Sequence, residues 1–168
     1  MTKRIQICIF EDIDSKQLSP YQLTRPVYTI PNGMYNLVQK IATFSSDSPL
    51  TLLCQPNHEA FLKQRFPKIN INKLNKSLPT LFINGRVNFS YSQFKAILAD
   101  INYKKNNLYI NNKNIIAIYS NDSLMESIYN VLHQRPSFDD IISQFRNQCQ
   151  VKEKKNLQLI DHWWDFLK

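Results

Sequence analysis

Two clusters of polar and charged residues follow apolar runs in this chain, and each has an arginine, within it or further along the chain, that can bind an anion. The first, Glu11-Asp12, comes directly after the apolar run 5–9. Arg25 lies further along, between Pro20 and Pro26, whose fixed φ angles stiffen the loop. A guanidinium on a stiff loop can bind a phosphate, and the two carboxylates can hold a base, a ribose or a cation.

The second cluster, Asn84-Gly85-Arg86, ends the apolar run that starts at Leu81. Ser90 and Gln93 follow at the spacing of a capping box, which predicts the start of a helix. Arg86 either neutralises phosphate charge or forms a local ion pair, and the residues alone leave both readings open.

The elements around the first cluster alternate between strands and helices. Periodicity and capping residues predict, in chain order, strand 5–9, a helix capped by Asn32, strand 50–54, a helix from 55 to 66, and an edge strand at 69–71. The first helix is expected to have one apolar face, made by Met34, Leu37, Val38 and Ile41. The order so far is β-α-β-α-β.

The second half supplies a central strand, a hairpin and further helices. We predict strand 81–86, a helix over 90–101 and a β-hairpin over 108–119 that turns at 111–113. Two helices follow, one capped by Asn121 or Asp122 and ending before Pro136, the other starting at Ser137. A charged loop at 150–156 and a strand at 157–160 end the chain of predicted elements. The whole predicts one α/β domain over residues 1–168, a three-layer open and mostly parallel sheet with a β-hairpin. Ligands bind such sheets at the carboxyl ends of the strands, so both clusters are expected at that edge.

The residues of the first half resemble the amino-terminal signature of a bacterial family of sugar nucleotidyltransferase-like proteins, related to N-acetylglucosamine-1-phosphate uridyltransferases. The matching residues are Phe10-Glu11-Asp12, Leu18, Pro20, Leu23-Thr24-Arg25-Pro26-Val27, Gly33 and Lys40. The resemblance implies a shortened nucleotide-diphospho-sugar transferase-like fold, without the left-handed β-helix domain that usually follows. Trp164-Asp165 resembles a Trp-Asp pair of the family, and the alternative is an aromatic clasp that packs the tail on the sheet.

The resemblance also implies a reaction and its residues. Family members transfer a nucleotidyl group from a nucleoside triphosphate to a sugar 1-phosphate, usually with Mg²⁺. The implied catalytic residue is Arg25, and the implied substrate-binding residues are Glu11, Asp12, Thr24, Arg25, Lys40, Asn84, Gly85 and Arg86. The uridyltransferases carry a metal-binding Asp after the glycine, where this chain has Arg86. A guanidinium cannot bind a hard cation, so the metal ligands stay unknown.

Composition limits the classes of protein and partner. Residues 61–120 hold ten Lys or Arg and only one Asp or Glu. The positive electrostatic field of such a segment attracts a nucleotide, nucleic acid or an acidic partner. A coding bias toward Lys, Asn and Ile gives the same composition. The two glycines exclude a glycine-rich phosphate loop. The three cysteines are far apart, as free thiols of a cytoplasmic protein would be. No signal peptide or membrane span is predicted.

Three functions are compatible with these observations, and the sequence leaves open whether the protein is an enzyme. The first is nucleotidyl transfer to a sugar 1-phosphate. The second is a non-catalytic module that binds a nucleotide, a sugar nucleotide or a protein partner that completes the fold. Nucleic-acid binding, with Tyr103 and Tyr109 as stacking surfaces, is the least favoured because the basic residues are dispersed over helices and loops.

Overall fold

The computed structural model describes residues 4–121 and 124–167. The helices are α1 (Tyr21–Thr24), α2 (Leu37–Phe44), α3 (Pro56–Arg65), α4 (Tyr91–Asp100), α5 (Leu124–Leu132) and α6 (Phe138–Phe145). The strands are β1 (Gln6–Phe10), β2 (Leu50–Leu52), β3 (Asn70–Ile71), β4 (Thr80–Asn84), β5 (Val87–Asn88), β6 (Asn107–Asn111), β7 (Asn114–Ser120), β8 (Gln150–Glu153) and β9 (Gln158–Leu159). Short 3-10 helices cover Ile13–Leu18, Val27–Thr29 and Trp163–Leu167.

Seven of these strands form one sheet in the order β3-β2-β1-β4-β7-β6-β8. Every neighbouring pair in it is parallel except the two pairs made by β7, which runs antiparallel to β4 and to β6. The remaining strands, β5 and β9, pair antiparallel in a small second sheet. The predicted α/β class with a mostly parallel sheet and a hairpin is confirmed.

Apolar side chains cover both faces of the sheet, and β1 shows why the sequence of a central strand is an almost continuous apolar run. Ile7 and Ile9 point to a core shared with α2, α3 and α4, whereas Cys8 and Phe10 point to a second core shared with α5 and α6. Successive side chains of a strand alternate between its two faces, so a strand buried on both is mostly apolar. Gln6, the buried polar residue of β1, donates to Oγ1 of Thr80 and accepts from the backbone N–H of Asn75. The helices therefore form the outer layers of a three-layer structure.

The predicted starts of two helices are confirmed and that of a third is wrong. Helices α4 and α6 begin after Ser90 and Ser137. Helix α2 begins after Asn36, which forms a capping box with Gln39, and not after Asn32.

The late start of α2 follows from the turn that precedes it. Gly33 has a φ of +74°, and the backbone N–H of Asn32 donates to the carbonyl oxygen of Tyr35 at 3.2 Å. The chain therefore turns before it enters the helix, and Met34, predicted to face the core, is 88% exposed.

The carboxyl-terminal part also departs from the predicted elements. Gln150–Glu153 was predicted as part of a loop but forms β8, which adds to the edge of the sheet beside β6. Its side chains are mostly exposed, so no apolar alternation marks it. The predicted hairpin is confirmed, and Asn112 at its turn has a φ of +52°.

Within the described residues, no helix is both long and apolar enough to cross a membrane. Cys8 and Cys54 are buried free thiols, as predicted, and Cys149 is half-buried. Asp122, one of the two predicted caps of α5, lies outside the described residues.

Candidate functional site

The two polar clusters meet because β1 and β4 are neighbours in the sheet. Phe10 is paired with Asn84, so Glu11-Asp12 and Gly85-Arg86 leave the sheet side by side. The backbone N–H of Gly85 donates to the Phe10 carbonyl oxygen at 2.7 Å. A Cβ at Gly85 would lie 2.8 Å from Cδ1 of the buried Tyr28 and 3.0 Å from that carbonyl oxygen, so only glycine fits this contact.

Arg86 is buried at this point and forms a bidentate ion pair with Asp12. Its side chain is 1% exposed. Nε donates to Oδ1 of Asp12 at 2.9 Å, and Nη2 donates to Oδ2 at 2.7 Å. Asn84 donates from Nδ2 to the same Oδ2 at 2.7 Å, while Nη2 of Arg86 also donates to Oδ1 of Asn114 at 3.1 Å. The planar guanidinium of Arg86 and the planar carboxylate of Asp12 are thus joined by two parallel hydrogen bonds.

Two further carboxylates surround the same guanidinium. Oδ2 of Asp14 lies 3.5 Å from Nη2, and Asp161 forms an ion pair with Nη1. Three carboxylates therefore face one guanidinium, with two negative charges in excess. Burial lowers the pKa of Arg86, but the hydrogen bonds and charges of Asp12, Asp161 and Asp14 more than offset this and raise it. The guanidinium stays charged.

Glu11 points away from this pair and holds the loop that carries Arg25. Its Oε1 accepts a hydrogen bond from the backbone N–H of Val27 at 2.7 Å, and its Oε2 lies 3.4 Å from Nη2 of Arg135. Burial raises the pKa of Glu11, and the charge of Arg135 only partly offsets that rise. Glu11 is a positioning residue in this structure.

Arg25 and Thr24 lie to one side of the Arg86–Asp12 pair. Arg25 is exposed, and its Cζ is 5.8 Å from the centre of the Phe61 ring on α3. Thr24 donates from Oγ1 to the Tyr21 carbonyl oxygen at 3.1 Å, within α1.

Lys40 lies closer to the second cluster. Its Nζ donates to Oδ1 of Asn88 at 3.3 Å, and partial burial lowers the pKa of this amine. Lys40 and Gly85 line the same small crevice, together with Ile160 and Phe166. The structure thus brings together Glu11, Asp12, Asn84, Gly85 and Arg86 and places Lys40 nearby. Thr24 ends α1, and Arg25 follows it at the start of the neighbouring loop.

A cleft of about 310 Å³ opens beside this cluster, and sequence reasoning missed it. We name it the amide cleft; its lining residues are Asn88, Asn111, Asn112, Asn114, Gln158, Leu159, Ile160, Asp161 and Asp165. Asn114 and Asp161 connect it to Arg86. The run of Asn residues at the hairpin turn was the available signal, but it was interpreted only as turn chemistry.

A larger cavity, of about 970 Å³, lies at the opposite ends of the strands. Its lining includes Arg4, Lys95 and the segment 45–48. Neither polar cluster contributes to it, so it is not the predicted site.

Asp165 of the Trp-Asp pair also lines the amide cleft. Oδ2 of Asp165 accepts from the backbone N–H groups of Asp161 and His162, at 3.3 and 3.0 Å. Trp163 and Trp164 are 42% and 47% exposed, so the predicted aromatic clasp is wrong for both. Phe166 and Ile160 pack the tail instead, against Leu18 and Val27.

The residues do not fit the Mg²⁺ ion that the resemblance implies. Oδ1 of Asp12 accepts from Arg86 and from both N and Oγ of Ser15, and Oδ2 accepts from Asn84 and Arg86. A hard cation needs several free oxygen ligands. Over the described part of the chain, no three His, Cys, Asp or Glu side chains are grouped so that they could hold a metal ion.

The fold and the position of the site define an α/β protein of the nucleotidyltransferase type. The chain belongs to the sugar nucleotidyl transferase family, whose model matches residues 7–168. The matches do not single out the relation to N-acetylglucosamine-1-phosphate uridyltransferases. Among curated proteins, none matches the chain in sequence.

Solved structures of nucleotidyltransferases share the fold over nearly the whole of both chains. The chain is similar to 4-diphosphocytidyl-2C-methyl-D-erythritol synthase from Anaerococcus prevotii, with a TM-score of 0.55, 16% identity and coverage of 99% of this chain and 96% of that one. It is also similar to UDP-glucose pyrophosphorylase from Acinetobacter baumanii, with a TM-score of 0.55, 7% identity and coverage of 97% and 91%. For CTP:phosphocholine cytidylyltransferase from Streptococcus pneumoniae the TM-score is 0.53, at 9% identity and coverage of 98% and 96%. Identities this low show a shared fold alone.

Proposed function

We propose that this chain binds a sugar phosphate or a sugar nucleotide at the carboxyl ends of β1 and β4, without transferring a nucleotidyl group. The observation that carries the proposal is the amide cleft, which opens at this edge of the sheet in a member of a sugar nucleotidyl transferase family. Ligands of open α/β sheets bind at the same edge.

The lining of the cleft suits a sugar. Asn and Gln side chains each offer two N–H donors and a carbonyl acceptor, and a sugar hydroxyl both donates and accepts. Five of the nine lining residues carry such amides, and Asp161 and Asp165 add acceptors. A volume of about 310 Å³ is at the small end of the usual range for ligand cavities, which fits one sugar ring better than a whole nucleotide.

The phosphate is expected on the Lys40 side of the cleft. The carboxylates around Arg86 repel an anion there, whereas Lys40 contacts Asn88, which lines the cleft. Arg25 is exposed on the neighbouring loop and is available to a second phosphate of a sugar nucleotide. In this proposal Arg25, predicted as the catalytic residue, is a phosphate-binding residue.

Transfer is not expected because the cation at the centre of the site is already neutralised. Nucleotidyl transfer depends on cations that offset charge on the reacting phosphates. Arg86 faces three carboxylates, so it has little charge left to offer a phosphate.

Calorimetric titration with UDP-glucose, UDP-N-acetylglucosamine and their sugar 1-phosphates tests the binding proposal. We expect Lys40→Ala to weaken binding about tenfold, because the variant loses one charge-assisted hydrogen bond to the phosphate. The matched control is Lys95→Ala, which removes the same charge on α4, far from the cleft, and should leave binding unchanged.

The proposal has two contradicting outcomes. Equal weakening by the two lysine variants would contradict the assignment of the site. Release of pyrophosphate from UTP and a sugar 1-phosphate, lost in Arg25→Ala, would contradict binding without transfer and would restore Arg25 as a catalytic residue.

A further inference from the structure

We propose that Arg135 is a positioning residue, which holds the segment that carries Arg25 in place so that Arg25 can bind the second phosphate of a sugar nucleotide. We name residues 21–27 the Arg25 segment. The role of Arg25 rests on the proposed function, whereas the hold on the segment can be measured without any ligand.

Arg135 belongs to the turn 133–136, which joins α5 to α6 at the carboxyl edge of the sheet. The backbone N–H of Ile13, which follows β1, donates to the Pro136 carbonyl oxygen at 3.2 Å. Nε2 of Gln55, which follows β2, donates to the His133 carbonyl oxygen at 3.2 Å. The turn is therefore fixed to the ends of two strands, and the Arg135 side chain extends from a fixed base.

The guanidinium of Arg135 contacts the Arg25 segment on both sides of Arg25. Nη2 donates to Oε1 of Gln22 at 3.5 Å. The same nitrogen lies 3.4 Å from Oε2 of Glu11, whose Oε1 accepts from the backbone N–H of Val27 at 2.7 Å. One cation thus connects to the segment directly at Gln22 and through Glu11 at Val27.

These contacts lie inside the protein, whereas Arg25 itself is exposed. The side chains of Arg135 and Glu11 are 14% and 2% exposed, and Gln22 is buried. Charges attract each other more strongly there than in water because the dielectric constant is lower. Among the described residues, Nε of Arg135 and Oε2 of Glu11 have no hydrogen-bond partner, so each buried charge depends on the other.

The backbone of Arg135 also indicates a role for its side chain. Its φ is +56°, in the left-handed region, and its N–H donates to the carbonyl oxygen of Leu132, the last residue of α5, at 3.2 Å. Glycine or asparagine is the usual residue where a helix ends in this conformation. An arginine is strained there, and such strain is retained where the side chain is needed.

Binding tests whether Arg135 acts through Arg25. Arg135→Met keeps an unbranched side chain but removes the charge, and it should weaken binding of UDP-glucose about tenfold, as Arg25→Ala should. Glucose 1-phosphate, whose single phosphate is assigned to Lys40, should bind as it does to the wild type, to within about twofold. The double variant Arg25→Ala/Arg135→Met should bind UDP-glucose no more weakly than Arg25→Ala alone, because the two residues act as one unit.

Hydrogen exchange tests the hold on the segment without a ligand. In Arg135→Met, peptides that cover 21–27 should exchange at least about tenfold faster than in the wild type, because local opening becomes easier. Peptides from α4, which packs on the other face of the sheet from α5, should exchange at the wild-type rate.

Two controls separate this effect from a general loss of charge or of stability. Arg146→Met removes an exposed arginine just after α6 and should change neither binding nor exchange. Because Arg135→Met leaves Glu11 as a buried carboxylate without its partner, the substitution is repeated in a Glu11→Gln background. Gln at this position still offers an oxygen to the Val27 N–H, and adding Arg135→Met should again speed exchange over 21–27.

Three results would overturn the inference. One is wild-type exchange over 21–27 in Arg135→Met and in its Glu11→Gln counterpart. Another is equal weakening of UDP-glucose and glucose 1-phosphate, which is what a merely structural role gives. The third is a double variant that loses the sum of the two single effects. A wild type that binds neither compound contradicts the proposed function instead, and hydrogen exchange then still decides whether Arg135 holds the segment.

Discussion

Two buried charged residues, Arg86 and Glu11, hold the polar edge of the sheet together in different ways. Arg86 binds three carboxylates from two segments and is fully paired. Glu11 anchors the loop of Arg25 through the backbone of Val27, and its second oxygen has only the more distant Arg135 as a partner. The negative charge of ionised Glu11 therefore has weaker partners than the positive charge of Arg86.

Glu11→Gln should change how stability depends on pH. Because burial raises the pKa of Glu11 above its ordinary value of 4.5, the folded state binds this proton more tightly than the unfolded state does. Stability from this group is present at low pH and is lost as the pH rises from 4.5 through the raised pKa. The free energy of unfolding in urea, compared at each pH, should shift in favour of Glu11→Gln as the pH rises across that window. A constant difference between the two proteins would contradict the raised pKa.

Sequence reasoning located most elements but not all of their boundaries, and α2 shows the reason. Asn32 and Asn36 both precede apolar residues at helical spacing, so either can be a cap by residue type. The choice depends on the turn at Gly33 and on Asn36 donating from Nδ2 to the Thr29 carbonyl oxygen at 3.4 Å. Such tertiary contacts cannot be derived from local periodicity. Strand β8 was missed for the same reason, since only its pairing with β6 marks it as a strand.

Replacing each candidate cap tests where α2 begins. Asn36→Ala removes the acceptor of the Gln39 backbone N–H, a hydrogen bond of 2.9 Å, and should cost about 1 kcal/mol of stability. Asn32→Ala is the matched control, with the same change of side chain, and should cost less because Asn32 caps no helix. Urea denaturation of the two variants measures the difference. A larger loss for Asn32→Ala would show that the helix begins earlier.

The whole molecule is built around one seven-stranded sheet, and the candidate site lies at the carboxyl ends of two central strands. The two clusters singled out from the sequence meet there because their strands are neighbours, as the rule for open α/β sheets predicts. The amide cleft could not be predicted in this way, since its residues come from β5, the β6–β7 hairpin, β9 and the segment after β9. The pairing of β5 with β9 that closes one side of the cleft involves only two residues on each strand and has no sequence signal of its own.

The most direct test of the account is a calorimetric titration of the wild type with UDP-glucose and UDP-N-acetylglucosamine, in EDTA and again in millimolar Mg²⁺. A site that uses no metal ion should bind at least one of these sugar nucleotides with the same affinity in both buffers, to within about twofold. A tenfold loss of affinity in EDTA, about 1.4 kcal/mol of binding free energy, would show that a metal ion takes part in binding. Absence of binding to either sugar nucleotide or to its sugar 1-phosphate would contradict the proposed function itself.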